Sequence, residues 1–116
     1  MHSKSWWLAL GLFLLGISTY IFFNSDFYTA NQLNYQMNKM VSQKEYQKMK
    51  SIASNQNTYS FLKNLSSKNK FQDTTDSQGG SNQGLYYVTV VKNQTLDVYI
   101  CKVNAINWQV IYVNKQ

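Results

Sequence analysis

One uninterrupted apolar segment constrains this chain more than any other feature. Eighteen residues from Trp6 to Phe23 carry no charged side chain. As a helix with a rise of about 1.5 Å per residue, the segment is about 27 Å long, near the thickness of a bilayer's hydrocarbon core. The segment therefore predicts a transmembrane helix over residues 6–23.

Aromatic side chains stand at both ends of this segment. Amphipathic rings favour the headgroup region of a membrane, where one side of the ring is apolar and the other is wet. We therefore expect five residues at the membrane interfaces: Trp6, Trp7, Tyr20, Phe22 and Phe23.

A cleaved signal peptide is the alternative interpretation of the segment. Its only small-x-small candidate for cleavage is Gly16-Ile17-Ser18, and apolar residues continue beyond it to Phe23. The segment is also longer than the apolar region of a typical signal peptide. We therefore favour a retained anchor.

The charges that flank the segment predict its orientation. Lys4 and the terminal amine lie on one side, Asp26 lies just beyond the other, and the next lysine is Lys39. Because positively charged flanks stay in the cytoplasm, we expect a single-pass cell-membrane protein. Residues 1–5 would be cytoplasmic, and the C-terminal domain would be extracellular.

An amphipathic helical region is predicted for residues 24–65. Apolar residues recur there at spacings typical of one helix face. The residues expected to pack on another element are Leu33, Met37, Met40, Val41, Met49 and Ile52.

Helix breakers are scarce between the apolar segment and this region. The chain has no proline, and no glycine lies between Gly16 and Gly79. The simplest prediction is one continuous helix over residues 6–54. The alternative is a break at Asn24-Ser25-Asp26, with Ser25 or Asp26 as the N-cap of a new helix. The Asn55-Gln56-Asn57 cluster would end the helix, and a further short helical turn would follow it.

The remaining residues divide into a loop and a β region. Residues 66–84 are rich in serine, glycine and amides, which predicts a flexible polar loop. Residues 85–116 contain three segments dense in valine, isoleucine, tyrosine and threonine, which predicts a three-stranded antiparallel sheet. Alternation in the middle strand places one apolar face of the sheet on Leu96, Val98 and Ile100.

A sheet of about thirty residues cannot bury its apolar face by itself. The stripe of the amphipathic helix has no other partner in the sequence. We therefore predict an α+β fold in which a long N-terminal hydrophobic and amphipathic helix packs on the small three-stranded sheet. This plan is pilin-like, because one helix anchors the protein and supports its head.

The order of these parts resembles a known family. The apolar segment 6–23, the amphipathic helix over residues 33–54 and the strands of 85–113 are similar in arrangement to the ComGG-like minor pseudopilins of Gram-positive competence systems. The resemblance covers nearly the whole chain and rests on architecture. It implies a structural subunit of a short, type IV pilin-like competence pseudopilus that helps bring extracellular DNA across the envelope.

Two features of typical prepilins are missing from this sequence. No glycine precedes Trp6, and no acidic residue occurs between Met1 and Phe23. The family's peptidase cleavage and its pairing of a glutamate with the neighbouring N-terminus are therefore not carried over to this chain.

The composition argues against an enzyme. The chain has one histidine, one cysteine (Cys101), one glutamate, four aspartates and no arginine, which leaves little for a catalytic triad, a metal site or a carboxylate pair. All eleven basic residues are lysines, and abundant lysine and asparagine favour a low-GC Gram-positive source. We expect no cofactor, no metal and no small-molecule substrate.

The partners that we expect are the membrane and other pilin-like or envelope proteins. Ten lysines against five acidic residues beyond Phe23 would also give weak, non-specific attraction to DNA phosphates. Stacking of tyrosines or Trp108 on exposed bases is a further option. Anionic wall polymers are another, through Lys68, Lys70, Lys92, Lys102 and Lys115.

A different class of function remains open at this point. A single-pass, membrane-anchored immunity or superinfection-exclusion protein at the cell surface needs only an anchor and a binding surface. Both are present in the sequence.

Overall fold

The computed structural model describes residues 2–81 and 83–116, so Met1 of the expected cytoplasmic segment 1–5 lies outside it. Four helices precede the sheet: α1 (His2–Phe23), α2 (Asp26–Ser42), α3 (Tyr46–Ile52) and α4 (Gln56–Lys63). Five strands follow: β1 (Asp73–Thr74), β2 (Gly79–Gly80), β3 (Gly84–Val91), β4 (Gln94–Lys102) and β5 (Trp108–Lys115). The molecule measures 66 × 26 × 23 Å.

The prediction of one continuous helix over residues 6–54 is wrong, because the helix is broken between α1 and α2 and again between α2 and α3. At the first break, Asn24 and Ser25 donate side-chain hydrogen bonds to the carbonyls of Tyr20 and Phe22 at the end of α1. The Ser25 hydroxyl also accepts the amide hydrogen of Tyr28 at 3.3 Å. Ser25 is thus the N-cap of α2, which was the alternative interpretation of the sequence.

The second break, between α2 and α3, has no glycine or proline. Lys44 adopts a left-handed backbone with φ of 54°, and the amides of Lys44 and Glu45 donate to the carbonyls of Val41 and Met40. This pairing is a Schellman C-cap, a position that glycine usually fills. A lysine there gives no recognisable stop in the sequence.

All strand pairs of the sheet are antiparallel, in the order β1–β3–β4–β5, and β2 pairs with the same edge of β3 as β1. The α+β class and the antiparallel sheet are confirmed, whereas the predicted number of three strands is wrong. The sequence did not predict β1 and β2, because each strand has only two residues and no apolar alternation.

The segment 66–84, which was predicted to be a flexible loop, contains β1 and β2. Phe71 in this segment is buried, and its backbone amide and carbonyl bond to the side chain of Asn38 on α2 at 2.7 and 3.1 Å. The Thr74 hydroxyl donates to Asn34 of α2 at 2.6 Å. Asn34 and Asn38, which lie on the polar side of α2, therefore hold the segment against the helix.

The core lies between the helices and the inner face of the sheet. The nine residues that were predicted to pack helix against sheet are all buried in one cluster: Leu33, Met37, Met40, Val41, Met49, Ile52, Leu96, Val98 and Ile100. Tyr87, Trp108 and Phe71 complete this cluster. α2 and α3 both pack on β5, the edge strand.

Backbone amides and carbonyls on the outer edge of β5 also have hydrogen-bond partners. The Gln36 side chain of α2 accepts the amide hydrogen of Val110 at 2.9 Å and donates to the carbonyl of Trp108. Further along the strand, the amide of Ser54 donates to the carbonyl of Val113 at 2.8 Å. These contacts cover an edge that would otherwise invite pairing with another chain.

Truncation of a buried methionine should measure the helix–sheet packing. We expect Met37→Ala to lower the free energy of unfolding by about 2–5 kcal/mol, because it leaves a cavity between α2 and the sheet. Chemical denaturation of the full-length protein in micelles, followed by near-UV circular dichroism, measures the change. The control is Tyr35→Ala on the same helix, which removes a side chain that is 63% exposed and should change stability by less than about 0.5 kcal/mol. Equal losses in the two variants would contradict this packing.

Tyr87 should make the protein sensitive to alkali. Its hydroxyl donates to a carboxylate oxygen of Asp26 at 2.8 Å, and burial together with that carboxylate raises the pKa of Tyr87 above its usual value. Because the folded state holds this proton more tightly, the contribution of Tyr87 is intact below pH ~10 and is lost as the pH rises above it. Between pH ~10 and ~11.5, wild-type stability should fall by up to about 1.4 kcal/mol per pH unit more than that of Tyr87→Phe. Denaturation at a series of pH values gives the two slopes, and parallel slopes would contradict the role of this proton.

Candidate functional site

Within residues 2–81 and 83–116, two surfaces lie uncovered by the rest of the chain. One is the surface of α1, and the other is the outer face of the sheet, which turns away from α2. Among the described residues, no group of three or more histidine, cysteine, aspartate or glutamate side chains converges. The candidate sites are therefore interaction surfaces.

The exposed surface of α1 is apolar along its length. Residues 5–23 form the one described helix that is long and apolar enough to cross a membrane, and none of them is buried by the rest of the chain. Four of the predicted interface residues, Trp6, Trp7, Tyr20 and Phe22, are exposed. Phe23 is half-buried, because its ring packs edge-on against Tyr28 at 4.9 Å between centroids.

One groove in the α1 surface lies beside Gly16, the second of the two glycines in this helix. Leu12, Phe13, Gly16, Ile17 and Tyr20 line a shallow apolar groove of about 410 Å³. Nothing in the chain lies within 4 Å of a Cβ atom built on Gly16. A small residue between bulky ones lets another transmembrane helix approach closely.

A row of three tyrosines crosses the outer face of the sheet. Tyr86 on β3 is directly opposite Tyr99 on β4, and Tyr99 is directly opposite Tyr112 on β5. The rings of Tyr86 and Tyr99 are 4.5 Å apart between centroids. Cross-strand aromatic pairs stabilise a sheet, but they normally lie against a core when so many cluster together.

A β-bulge completes this row. Tyr99 pairs with Tyr112 whereas Ile100 pairs with Val110, so Ile111 is an extra residue in β5. Ile111 and Tyr112 therefore both reach the outer face, where each is at least 40% exposed. The bulge adds an apolar side chain beside the tyrosine row.

These side chains line an open groove of about 520 Å³. Its lining residues are Tyr86, Asp97, Tyr99, Ile111, Tyr112 and Asn114. The Cys101 thiol beside Tyr99, together with partial burial, raises the pKa of the Tyr99 hydroxyl. The groove holds one carboxylate and no lysine, which disfavours phosphate groups and suits an apolar or hydroxyl-rich partner surface.

Gly84 determines where the Tyr99 ring lies. A Cβ atom on Gly84 would overlap the hydroxyl and ring atoms of Tyr99, so the ring occupies the space above this glycine. The tyrosine row was missed in the sequence because its alignment depends on strand register and on the bulge. The only signal was that Tyr86 and Tyr87 had to face opposite sides.

The structure also shows where Trp108 and three of the lysines that were considered as contacts for DNA or wall polymers lie. Trp108 is buried, so the expectation that it stacks on bases is wrong. Lys92 and Lys115 share a polar groove of about 370 Å³ with Asn57 and Ser60 at the far end of the sheet from α1. Lys102 instead lies beside α1, where its ammonium donates to the side-chain oxygen of Asn24 at 2.6 Å. Lys102 therefore lies apart from Lys92 and Lys115, at the opposite end of β4.

No family model, no curated protein and no solved structure matches this chain significantly. The geometry of the chain itself must therefore carry any functional conclusion.

The contact between Gly84 and Tyr99 can be tested by a double-mutant cycle. We expect Gly84→Ala to lower the free energy of unfolding by about 1–2 kcal/mol, because the new methyl group displaces the Tyr99 ring. In a Tyr99→Ala background most of this loss should disappear, which gives a coupling energy of about 1 kcal/mol. Thermal or chemical unfolding of the four proteins measures the cycle. Additive losses would show that the ring lies elsewhere.

Proposed function

We propose that this protein is a membrane-anchored, non-enzymatic structural subunit, similar to a minor pseudopilin of a Gram-positive competence system. In this role α1 spans the cell membrane with its N-terminus in the cytoplasm. The α2–β5 head stands outside and contributes to a short pseudopilus that takes up DNA.

The observation that carries the proposal is that α2, the helix that supports the head, follows the anchor helix α1 almost directly along the chain. Two residues, Asn24 and Ser25, separate α1 from α2, and α2 is the helix that covers the inner face of the sheet. Movement of the anchor along the membrane normal would therefore be passed directly to the head. A subunit pushed outward during filament assembly requires such a coupling.

Both uncovered surfaces support a role in assembly. The apolar groove beside Gly16 suits a neighbouring subunit's transmembrane helix, as in a bundle of anchors. The tyrosine row offers rigid, amphipathic aromatic side chains, which are enriched at the centres of protein interfaces. DNA would be contacted weakly, through separate lysines such as Lys92 and Lys115.

The outer-face groove also favours a second candidate function. The groove lined by tyrosines, Asp97 and Asn114 offers a binding surface for one specific protein segment. An immunity or superinfection-exclusion protein would use it to capture an incoming toxin or phage component at the cell surface.

Transformation of the bacterium that encodes the protein separates the two candidates. Deletion of the gene should abolish or strongly reduce uptake of DNA, and the wild-type gene should restore it. Complementation with Tyr112→Lys should fail, because a charge in the tyrosine row would disrupt contacts of the head with other subunits.

The matched control is Tyr35→Lys, which places the same charge at an exposed tyrosine of α2 away from the sheet's outer face, and which should restore transformation. Equal membrane levels of both variants, measured by immunoblot, exclude a loss of folding. Normal transformation of the deletion strain, with new sensitivity to a phage or bacteriocin, would overturn the pseudopilin proposal and support the second candidate.

A further inference from the structure

The loop between β4 and β5 lies beside the end of the proposed transmembrane helix. This β4–β5 loop comprises residues 103–107. On its two flanks, the indole nitrogen of Trp108 donates to the backbone carbonyl of Phe23 at 3.1 Å, and the ammonium of Lys102 donates to the side-chain oxygen of Asn24. The Tyr28 hydroxyl donates to the carbonyl of Ile106. Three hydrogen bonds thus join the loop region to the residues where α1 ends.

These bonds fix the depth of the loop relative to a membrane. Phe23 is the last residue of the apolar segment, so its carbonyl lies at the boundary between hydrocarbon and headgroups when α1 spans a bilayer. The Trp108 indole is bonded to this carbonyl, so the C-terminal flank of the loop is held at the same level, although the ring itself is buried in the core. The loop that ends at Trp108 must then reach the headgroup region.

Of the five exposed residues in the loop, three are apolar, namely Val103, Ala105 and Ile106, and two are asparagines. Val103 is 60% exposed and Ile106 is 47% exposed, although both could have been polar at no cost to the core. Phe27, on the first turn of α2 near the same junction, is 70% exposed. Scattered exposed apolar residues need no explanation, but Val103, Ile106 and Phe27 belong to the loop and the helical turn that adjoin the end of α1.

The loop also has a defined conformation that can hold these side chains in place. The Asn104 side-chain oxygen accepts the amides of Ile106 and Asn107 at 3.1 and 3.0 Å, and the amide of Val103 donates to the carbonyl of Asn107 at 2.8 Å. Insertion would therefore need little ordering of the loop.

We propose that the β4–β5 loop is a second membrane contact, which inserts Val103 and Ile106 into the lipid interface of the leaflet where α1 emerges. The partner is the bilayer itself. This inference rests on the proposed role of α1 as the anchor, and adds that the head lies on the membrane at two points. Two contacts restrict rotation of the head about α1, so the tyrosine row faces a constant direction relative to the membrane.

The contact depends on apolar burial, with no requirement for anionic lipids. Lys102 and Asp26 carry opposite charges near this level, and both have partners within the protein, Asn24 and Tyr87. Lys102 also lies 5.8 and 5.7 Å from the ring centroids of Tyr20 and Trp108. An amphipathic lysine among aromatic rings is typical of a headgroup environment.

Quenching by spin-labelled lipids tests the proposal in the full-length protein. The reporter is an environment-sensitive fluorophore on Ala105→Cys, in a Cys101→Ser background reconstituted in phosphatidylcholine vesicles. Lipids labelled near the headgroup should quench it several-fold more than they quench the same fluorophore on Asn57→Cys. Asn57 lines a groove with Lys92 and Lys115 near the start of β4, and the length of that strand separates its start from Lys102 by about 27 Å.

Two further variants separate insertion from mere proximity to the anchor. Val103→Ser combined with Ile106→Ser should lower quenching at position 105, because the loop then no longer inserts beyond the level that its hydrogen bonds to the α1 end set. Ile111→Ser, which removes an equally exposed isoleucine from the outer sheet face, should leave this quenching unchanged.

A third reporter, on Leu14→Cys in the middle of α1, tests the anchor itself and should be quenched by lipids labelled deep in the acyl chains. Quenching at position 14 without quenching at position 105 would overturn the second contact and leave the proposed function intact. Absence of quenching at position 14 would overturn both.

Discussion

Burial of the sheet's inner face is the interaction on which the rest of this structure depends. A sheet of three main strands exposes one apolar face that it cannot cover alone. Here α2 and α3 cover that face and bury Leu33, Met37 and Met49 against Val98 and Val110. Because α2 begins two residues after the end of α1, the helix that covers the sheet is also tied to the proposed anchor. Stability of the head and its placement at a membrane are therefore properties of the same helix.

Amide side chains of α2 extend this packing to the boundaries of the sheet. Gln36 bonds to the backbone of β5 on one side, whereas Asn34 and Asn38 hold the segment that leads into and forms β1 on the other. Each contact satisfies polar groups that would be costly to bury without a partner. They also explain how a segment rich in serine and glycine is fixed without an apolar pattern of its own. The polar side of α2 is thus part of the architecture.

The arrangement gives the molecule a definite division of surfaces. The apolar surface of α1 and the β4–β5 loop lie toward the proposed membrane, the tyrosine row lies on the outer sheet face, and Lys92 and Lys115 lie at the distal end. A pilin-like subunit needs contacts through its anchor and contacts through its head, and these surfaces meet both needs. An exclusion or immunity protein would use α1 only as an anchor and would bind its target through the tyrosine row. The two functions therefore make different demands on the surface of α1.

The sequence by itself determined the features that depend on local pattern. Absence of charge over eighteen residues defined α1, helical spacing identified the buried side of α2 and α3, and β-branched and aromatic residues located the three long strands. Tertiary structure alone decided the features that depend on distant partners. Lys44 ends α2 in a conformation usual for glycine, β1 and β2 exist only by pairing with β3, and the tyrosines align only through register and the Ile111 bulge. The position of the β4–β5 loop beside the end of α1 likewise follows from hydrogen bonds between residues about eighty positions apart, which no local pattern can encode.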